Sequence, residues 1–127
     1  MAPTVRVRRV YDPPSEADGS RVLVDRLWPR GLAKDAAALD EWCKDAAPSP
    51  ELRTWYGHDA AKFDEFARRY RTELRDADHT EALHHLRDLA HEGPLTLLTA
   101  TKDPAISAAE VLKAEVRARG GRGGRRP

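Results

Sequence analysis

Asp25, Arg26 and Arg30 follow directly on the apolar run Val22-Leu23-Val24. A carboxylate and two guanidiniums at the end of a buried strand are costly to desolvate unless they pair or bind something. Two readings stand side by side. In the first, the charges form a buried ion-pair network that pins the following loop to the helices. In the second, Arg26 and Arg30 fork onto a planar anion, a phosphate or a carboxylate. Asp25 then orients one arginine or acts as a base. Trp28, between the arginines, either stacks on a ligand ring or fills the core.

Two further sets carry chemistry. Thr99-Ala100-Thr101-Lys102-Asp103 leads from an apolar run into a helical pattern. A strand end meeting a helix N-terminus offers free N–H groups and a positive dipole end to an anion, although the glycines of a phosphate loop are absent. Arg53, Tyr56 and His58 fall on a turn between helices. Histidine is the side chain best suited to proton transfer near neutral pH, and a capping or packing role for this turn is the competing reading. The candidate acid/base groups are therefore Asp25 and His58. The candidate ligand contacts are Arg9, Tyr11, Arg26, Trp28, Arg30, Arg53, Thr99, Thr101 and Lys102.

Other chemistry-bearing residues read as structural. Cys43 shares a helical stripe with Leu39 and Trp42, which argues for the core. His79, His84, His85 and His91 lie on or beside one helix and read as solvated or capping. Arg68, Arg69, Arg71 and Arg75 have Asp64, Glu65 and Glu73 within three or four residues, so ion pairs on a solvated face are expected. No Ser-His-Asp elbow, paired-cysteine zinc motif or dinucleotide fingerprint occurs, and the expectation is no metal and no cofactor.

These residues need elements to hold them. Residues 4–10 alternate Val5 and Val7 with Arg6 and Arg8, the pattern of a strand at or near a sheet edge. The run at about 20–25 lacks alternation and suits a strand covered on both faces. Helical spacing predicts a helix over about 36–46 from Leu39, Trp42, Cys43 and Ala46. It predicts a short helix from Ser49-Pro50 through Trp55 and a helix over about 60–77 capped by Asp59. It predicts another over about 80–92, capped by Thr80 and stopped by Gly93. Residues 95–99 form the third strand, and a last helix spans about 104–118 behind Asp103 and Pro104. The order is α/β: a small, parallel, three-layer, Rossmann-like sheet of about three strands with several helices. Parallel strands would bring their carboxyl ends, and with them the three residue sets, to one crevice.

Length and composition bound the rest. The 127 residues, 40% hydrophobic and 34% charged, suit one soluble domain over residues 1–118. No apolar run reaches the roughly 18 residues of a membrane span, and the N-terminus lacks a signal-peptide core, so a cytoplasmic location is the default. The lone cysteine excludes an internal disulfide framework. Residues 119–127 hold four arginines among glycines and read as a disordered arm. Without those four, the net charge of +1 becomes −3. The domain is mildly acidic, which argues against a broad nucleic-acid face on it.

Several blocks together carry a family likeness: Arg9-Val10-Tyr11-Asp12, Asp18-Gly19, Arg21 through Gly31, Ala47-Pro48-Ser49, Glu51-Leu52-Arg53, Tyr56-Gly57-His58, Phe66, Tyr70, Glu73-Leu74 and Thr96-Leu97-Leu98. With them the chain resembles the YeaO-like branch of DUF488, a large bacterial family of unknown function, over about residues 5–116. The resemblance implies a compact α/β fold with the Asp25 strand central, and no established activity. In the wider family the last strand often ends in cysteine, where this chain has Thr99. A Cys-His-Arg motif often opens the final helix there, at a place that falls here around Ile106 and Ser107. The resemblance therefore carries no cysteine-based or metal chemistry onto these residues.

The functional expectation is a small anionic ligand held at the strand ends by Arg26, Arg30 and Lys102, with catalysis left open. The alternative is a regulatory or nucleic-acid-binding protein whose arginine-rich tail makes the contact.

Overall fold

The apolar runs expected as strands lie side by side in one parallel sheet. The computed structural model describes residues 4–118, so the expected arm at 119–127 lies outside the described residues. Strands β1 (Val5–Arg9), β2 (Ser20–Leu23), β3 (Glu41–Trp42) and β4 (Leu95–Thr99) are ordered β1-β4-β2-β3. β4 is central. It pairs with β1 from Val5↔Leu95 to Arg9↔Thr99 and with β2 from Ser20↔Leu95 to Leu23↔Leu98. All five of its residues are buried. Its two threonines are tolerated there because both hydroxyls have partners, Thr96 donating to the Asp18 carbonyl at 2.8 Å and Thr99 to the Asp25 carboxylate at 2.8 Å. β1 is an edge strand, as its alternation implies.

Alternation along the strands divides the core. Val5, Val22, Val24, Leu95 and Leu97 face a helical layer. That layer holds α2 (Pro50–Tyr56), α3 (Phe63–Glu73), α4 (Ala77–Glu92) and α5 (Ala108–Arg117). Phe66 and Tyr70 on α3 are fully buried, each contributing on the order of 2–3 kcal/mol by area. Val10, Leu23 and Leu98 face the other way, against Ala37, Leu39, Trp28 and Trp42. The layer on that side is thin, made of residues 10–19, the 26–40 segment and the single-turn α1 (Lys34–Ala37).

The expected helix over 36–46 is replaced by α1, β3 and a 3₁₀ turn, Lys44–Ala46. Ala38 turns left-handed at φ 50° and ends α1. The chain then pairs with β2 through Asp40 N–H to Arg21 O at 2.9 Å and Cys43 N–H to Leu23 O at 2.8 Å. That non-local pairing outweighs the local helical spacing. The fourth strand follows from the same pairing.

Helix ends shift in two places. α4 starts at Ala77 because Asp76, not Thr80, accepts the N–H of His79 at 2.9 Å. The Thr80 hydroxyl donates to Leu74 O instead. The last helix is split: Asp103 caps a 3₁₀ turn over Pro104–Ile106, and Ser107 caps α5. The other expected caps hold, Ser49 at α2 and Asp59 at the 3₁₀ turn preceding α3.

The buried charge of the fold is at the other end of the sheet from Asp25. Asp18, 1% exposed, accepts from Arg8 Nη1 at 2.8 Å and from Arg21 Nη1 at 2.6 Å. Arg21 is itself buried and donates from Nε to Ala38 O at 3.0 Å. Burial pushes the Asp18 carboxyl up, but the Ser15 N–H and the two guanidiniums outweigh it and hold it below the usual range. Gly19 follows at φ 62°, its Cα so close to β4 that a Cβ would lie 2.1 Å from the Pro94 carbonyl oxygen.

Candidate functional site

A cleft of about 520 Å³ opens at the carboxyl ends of β2 and β4. Most of the sequence candidates line it: Asp25, Arg26, Trp28, Arg30, Arg53, His58, Thr101 and Lys102. Three different connections bring them there. The 25–30 loop continues β2, the 100–102 segment continues β4, and α2 with its terminal turn supplies Arg53 and His58.

Asp25 sits at the base. Its Oδ1 accepts from the Thr99 hydroxyl at 2.8 Å and its Oδ2 from the Ala100 N–H at 2.8 Å. Burial pushes its carboxyl above the usual value. The Ala100 and Thr99 hydrogen bonds and the charges of Arg53 and His58 oppose that rise without cancelling it. Among the described residues, no ion pair joins Asp25 to an arginine. The buried-clamp reading of Asp25 with Arg26 is thus corrected, because Arg26 turns to the other wall. There its Nε and Nη2 donate to the carbonyls of Pro48 and Ala47, each at 3.3 Å.

Arg30, Arg53, His58 and Lys102 are exposed at the cleft. α2 ends in two left-handed residues, Gly57 at φ 54° and His58 at φ 58°. That reversal carries the His58 ring back to 5.8 Å from the Tyr56 ring. The Tyr56 ring stacks on Phe66 at 4.2 Å, and its hydroxyl donates to Ile106 O at 2.7 Å. Burial, with Asp103 and Asp59 nearby, raises the Tyr56 phenol and keeps it neutral. Trp28 packs edge-on against Trp42 at 5.3 Å and donates from Nε1 to Leu32 O at 2.7 Å. It serves the core and the cleft wall together.

Three candidates stand behind the wall rather than on it. Arg9 lies over the Tyr11 ring at 5.0 Å and donates from Nε to Thr101 O at 3.3 Å. The Tyr11 hydroxyl donates to Arg30 O at 3.2 Å, tying the 25–30 loop to the end of β1. Buried Thr99 holds Asp25 and accepts the Thr101 N–H at 3.1 Å. The expected helix N-terminus behind Lys102 is displaced, since α5 begins at Ala108 and its first turn is capped by Ser107. Tyr56 of the third candidate set lines the cleft, as do Phe66, Ala47 and Pro48, which the sequence does not single out as site residues. The apolar stripe on α3 marks Phe66 as buried, but only the tertiary placement of α2 turns that face into a cleft floor.

Outside the cleft, Cys43 is buried as expected, though it follows a strand rather than lying on a helix, and its thiol is pushed up to about 11 by burial. Arg68 and Arg69 pair with Glu65. Glu73 instead clamps the α2 cap, accepting from Ser49 N–H at 2.8 Å and Ser49 Oγ at 2.6 Å. His79 differs from the expectation of a solvated or capping histidine. It is buried, with Nδ1 2.9 Å from the Asp76 carboxylate and Nε2 2.8 Å from Ala47 O. Among the described residues, no group of three or more His, Cys, Asp or Glu is placed to hold a metal, and no helix is long and apolar enough to cross a membrane.

A parallel α/β sheet with a cationic cleft at its strand ends defines the class, and comparison with known proteins supplies the family. A family model described as "Inactive DUF488-N3 subclade" matches residues 4–122. The chain belongs to this YeaO-like part of the DUF488 family. It is 52% identical over 108 residues to the uncharacterized protein Rv3073c of Mycobacterium tuberculosis, covering 85% of this chain and 89% of that one. It is 44% identical over 108 residues to the uncharacterized protein YeaO of Escherichia coli, covering 85% and 92%. No solved structure matches.

Proposed function

We propose that this protein binds a small phosphate- or carboxylate-bearing ligand in the cleft at the strand ends, and that it holds the ligand without turning it over. One observation carries the reading: Arg26, Arg30, Arg53 and Lys102 all line a cleft in which Asp25 is the one lining carboxylate among the described residues, and it is already held by Thr99 and Ala100. Four cations against one carboxylate leave the cavity with an excess of positive charge that an entering anion offsets. The description of the matched family model as inactive supports binding over catalysis.

The test is a thermal-shift and calorimetric series with inorganic phosphate, sulfate and simple carboxylates on the full chain. A ligand of the native state raises Tm by linkage. The expected result is a concentration-dependent rise with phosphate that is lost in the triple variant Arg30→Ala, Arg53→Ala, Lys102→Ala. No shift at millimolar anion, or an undiminished shift in the triple variant, overturns the reading. Chemical change of a bound ligand on prolonged incubation overturns the non-catalytic part and brings Asp25 and His58 forward as acid and base.

A further inference from the structure

We propose that the ligand is a two-ended organic anion: a planar, largely apolar body with its phosphate or carboxylate at the rim cations and an N–H or O–H donor reaching Asp25. This rests on the anion-binding reading and goes beyond it to the class of ligand.

Three observations point the same way. The cleft, at about 520 Å³, is in the range that encloses small organic molecules and is oversized for a bare oxyanion. Its aromatic lining has already committed its polar atoms. The Trp28 N–H is held by Leu32 O and the Tyr56 hydroxyl by Ile106 O, so the half-buried Trp28 presents carbon to a ligand while Tyr56 and Phe66, 4% and 1% exposed, back the wall. At the mouth, Leu27 is 61% exposed, more than any other large hydrophobic among the described residues. Apolar surface so placed favours a ligand with a carbon body.

Asp25 supplies the second end. Each oxygen takes one bond from the protein, and an ionised carboxylate has about four acceptor positions. The side chain lines the cleft, and none of its capacity is used by Arg26, Arg30 or Lys102. A simple anion gains from the rim and is repelled by Asp25. A ligand bearing a donor turns that repulsion into a charge-assisted hydrogen bond. Asp25 thus selects between anions that carry the same charged group.

The experiment is calorimetry on the full chain at fixed ionic strength with inorganic phosphate, phenyl phosphate, and the ortho, meta and para isomers of aminomethylphenyl and hydroxyphenyl phosphate. Phenyl phosphate is expected to bind tighter than inorganic phosphate, and at least one donor-bearing isomer about tenfold tighter again, the size of a hydrogen bond to a charged group. Asp25→Asn keeps acceptor and donor atoms toward Ala100 and Thr99, so it remains foldable. It is expected to strengthen inorganic phosphate binding, by removing a negative charge, and to erase the donor's gain. If inorganic phosphate, phenyl phosphate and every donor isomer bind alike, the two-ended ligand is wrong and anion binding stands. A donor gain that survives in Asp25→Asn also overturns it. If nothing binds, inorganic phosphate included, both readings fall.

Discussion

The Thr99 hydroxyl donates a 2.8 Å hydrogen bond to Asp25 Oδ1, joining the last residue of β4 to the loop that leaves β2. The bond crosses between adjacent parallel strands at the point where the sheet opens into the cleft. It holds the carboxylate at the base while the neighbouring Arg26 swings to the Ala47 and Pro48 carbonyls.

Thr99→Val keeps the β-branched shape on a strand and removes the donor. Asp25 then keeps only the Ala100 N–H. Chemical denaturation is expected to show a loss of about 1.5–3 kcal/mol at neutral pH, the range for a bond to a charged group. Because the carboxyl of Asp25 is already raised, its contribution favours folding at low pH and is lost as pH rises through the folded value. The Thr99→Val deficit should therefore shrink as the pH is lowered. A deficit independent of pH would place the loss in packing.

Asp18 has the opposite sign. Its carboxyl is held below the usual range, so its contribution is present above the ordinary carboxylate value and is lost as pH falls through the depressed one. Asp18→Asn leaves the buried Arg21 guanidinium without a counter-charge and Arg8 with only Asp12, at 3.9 Å. A cost of about 3–5 kcal/mol is expected at neutral pH, with a flattened acid limb in the pH–stability profile. An Asp18→Asn protein with parental stability would mean that the ion pairs contribute no net stability.

The two charge clusters differ in how far the sequence shows them. Asp25 and Arg30 stand out because charge follows abruptly on an apolar run. The Arg8–Asp18–Arg21 cluster is hidden because Arg8 belongs to an alternating strand, where an exposed arginine is the ordinary reading. Only the return of residues 10–19 across the sheet buries it. Local pattern suffices for β4 and for the α3 stripe, whose periodicities match one state. It fails at Leu39, Trp42, Cys43 and Ala46, where helical spacing coincides with a two-residue strand and a 3₁₀ turn set by pairing with β2. The convergence of Arg53 and His58 with Arg30 and Lys102 depends on how α2 sits on the sheet, which no local spacing encodes.

Gly19 offers a sharp test of the β2 entrance. Its φ of 62° and the 2.1 Å approach of a built Cβ to Pro94 O leave no room for alanine without moving β4 or the turn. The adjacent Ser20 N–H donates to that same carbonyl at 3.0 Å. Gly19→Ala is expected to cost more than about 2 kcal/mol, beyond the usual penalty of a left-handed alanine alone, and to lower Tm by several degrees. A Tm within a degree of the parent would show that the turn can relax away from Pro94.

Cys43 is buried and its thiol is pushed up to about 11. The thiolate is the reactive form, so the native protein should resist a bulky maleimide at pH 7 and label only as it unfolds. Labelling is expected to track the denaturant midpoint, and Cys43→Ala to cost about 1 kcal/mol. Fast labelling of the native fold would require residues 41–46 to open independently of the sheet.

Arg26 and Arg30 separate scaffold from binding surface within one loop. Arg26 is half-buried and donates to two carbonyls, Pro48 and Ala47, that lead into α2. Arg26→Ala removes those donors, and a loss of about 1–2 kcal/mol is expected, with weakened anion affinity because α2 also carries Arg53. Arg30 is exposed, its backbone carbonyl is held by Tyr11, and its side chain shares the cleft with other cations. Arg30→Ala should leave unfolding free energy unchanged or slightly raised, as relief of like-charge repulsion predicts, while phosphate affinity falls about tenfold or more. The decisive measurement pairs urea unfolding with phosphate titration for both variants. Stability lost in Arg30→Ala with affinity intact would make the arginine part of the loop's support. It would also remove one of the exposed cations from the proposed site.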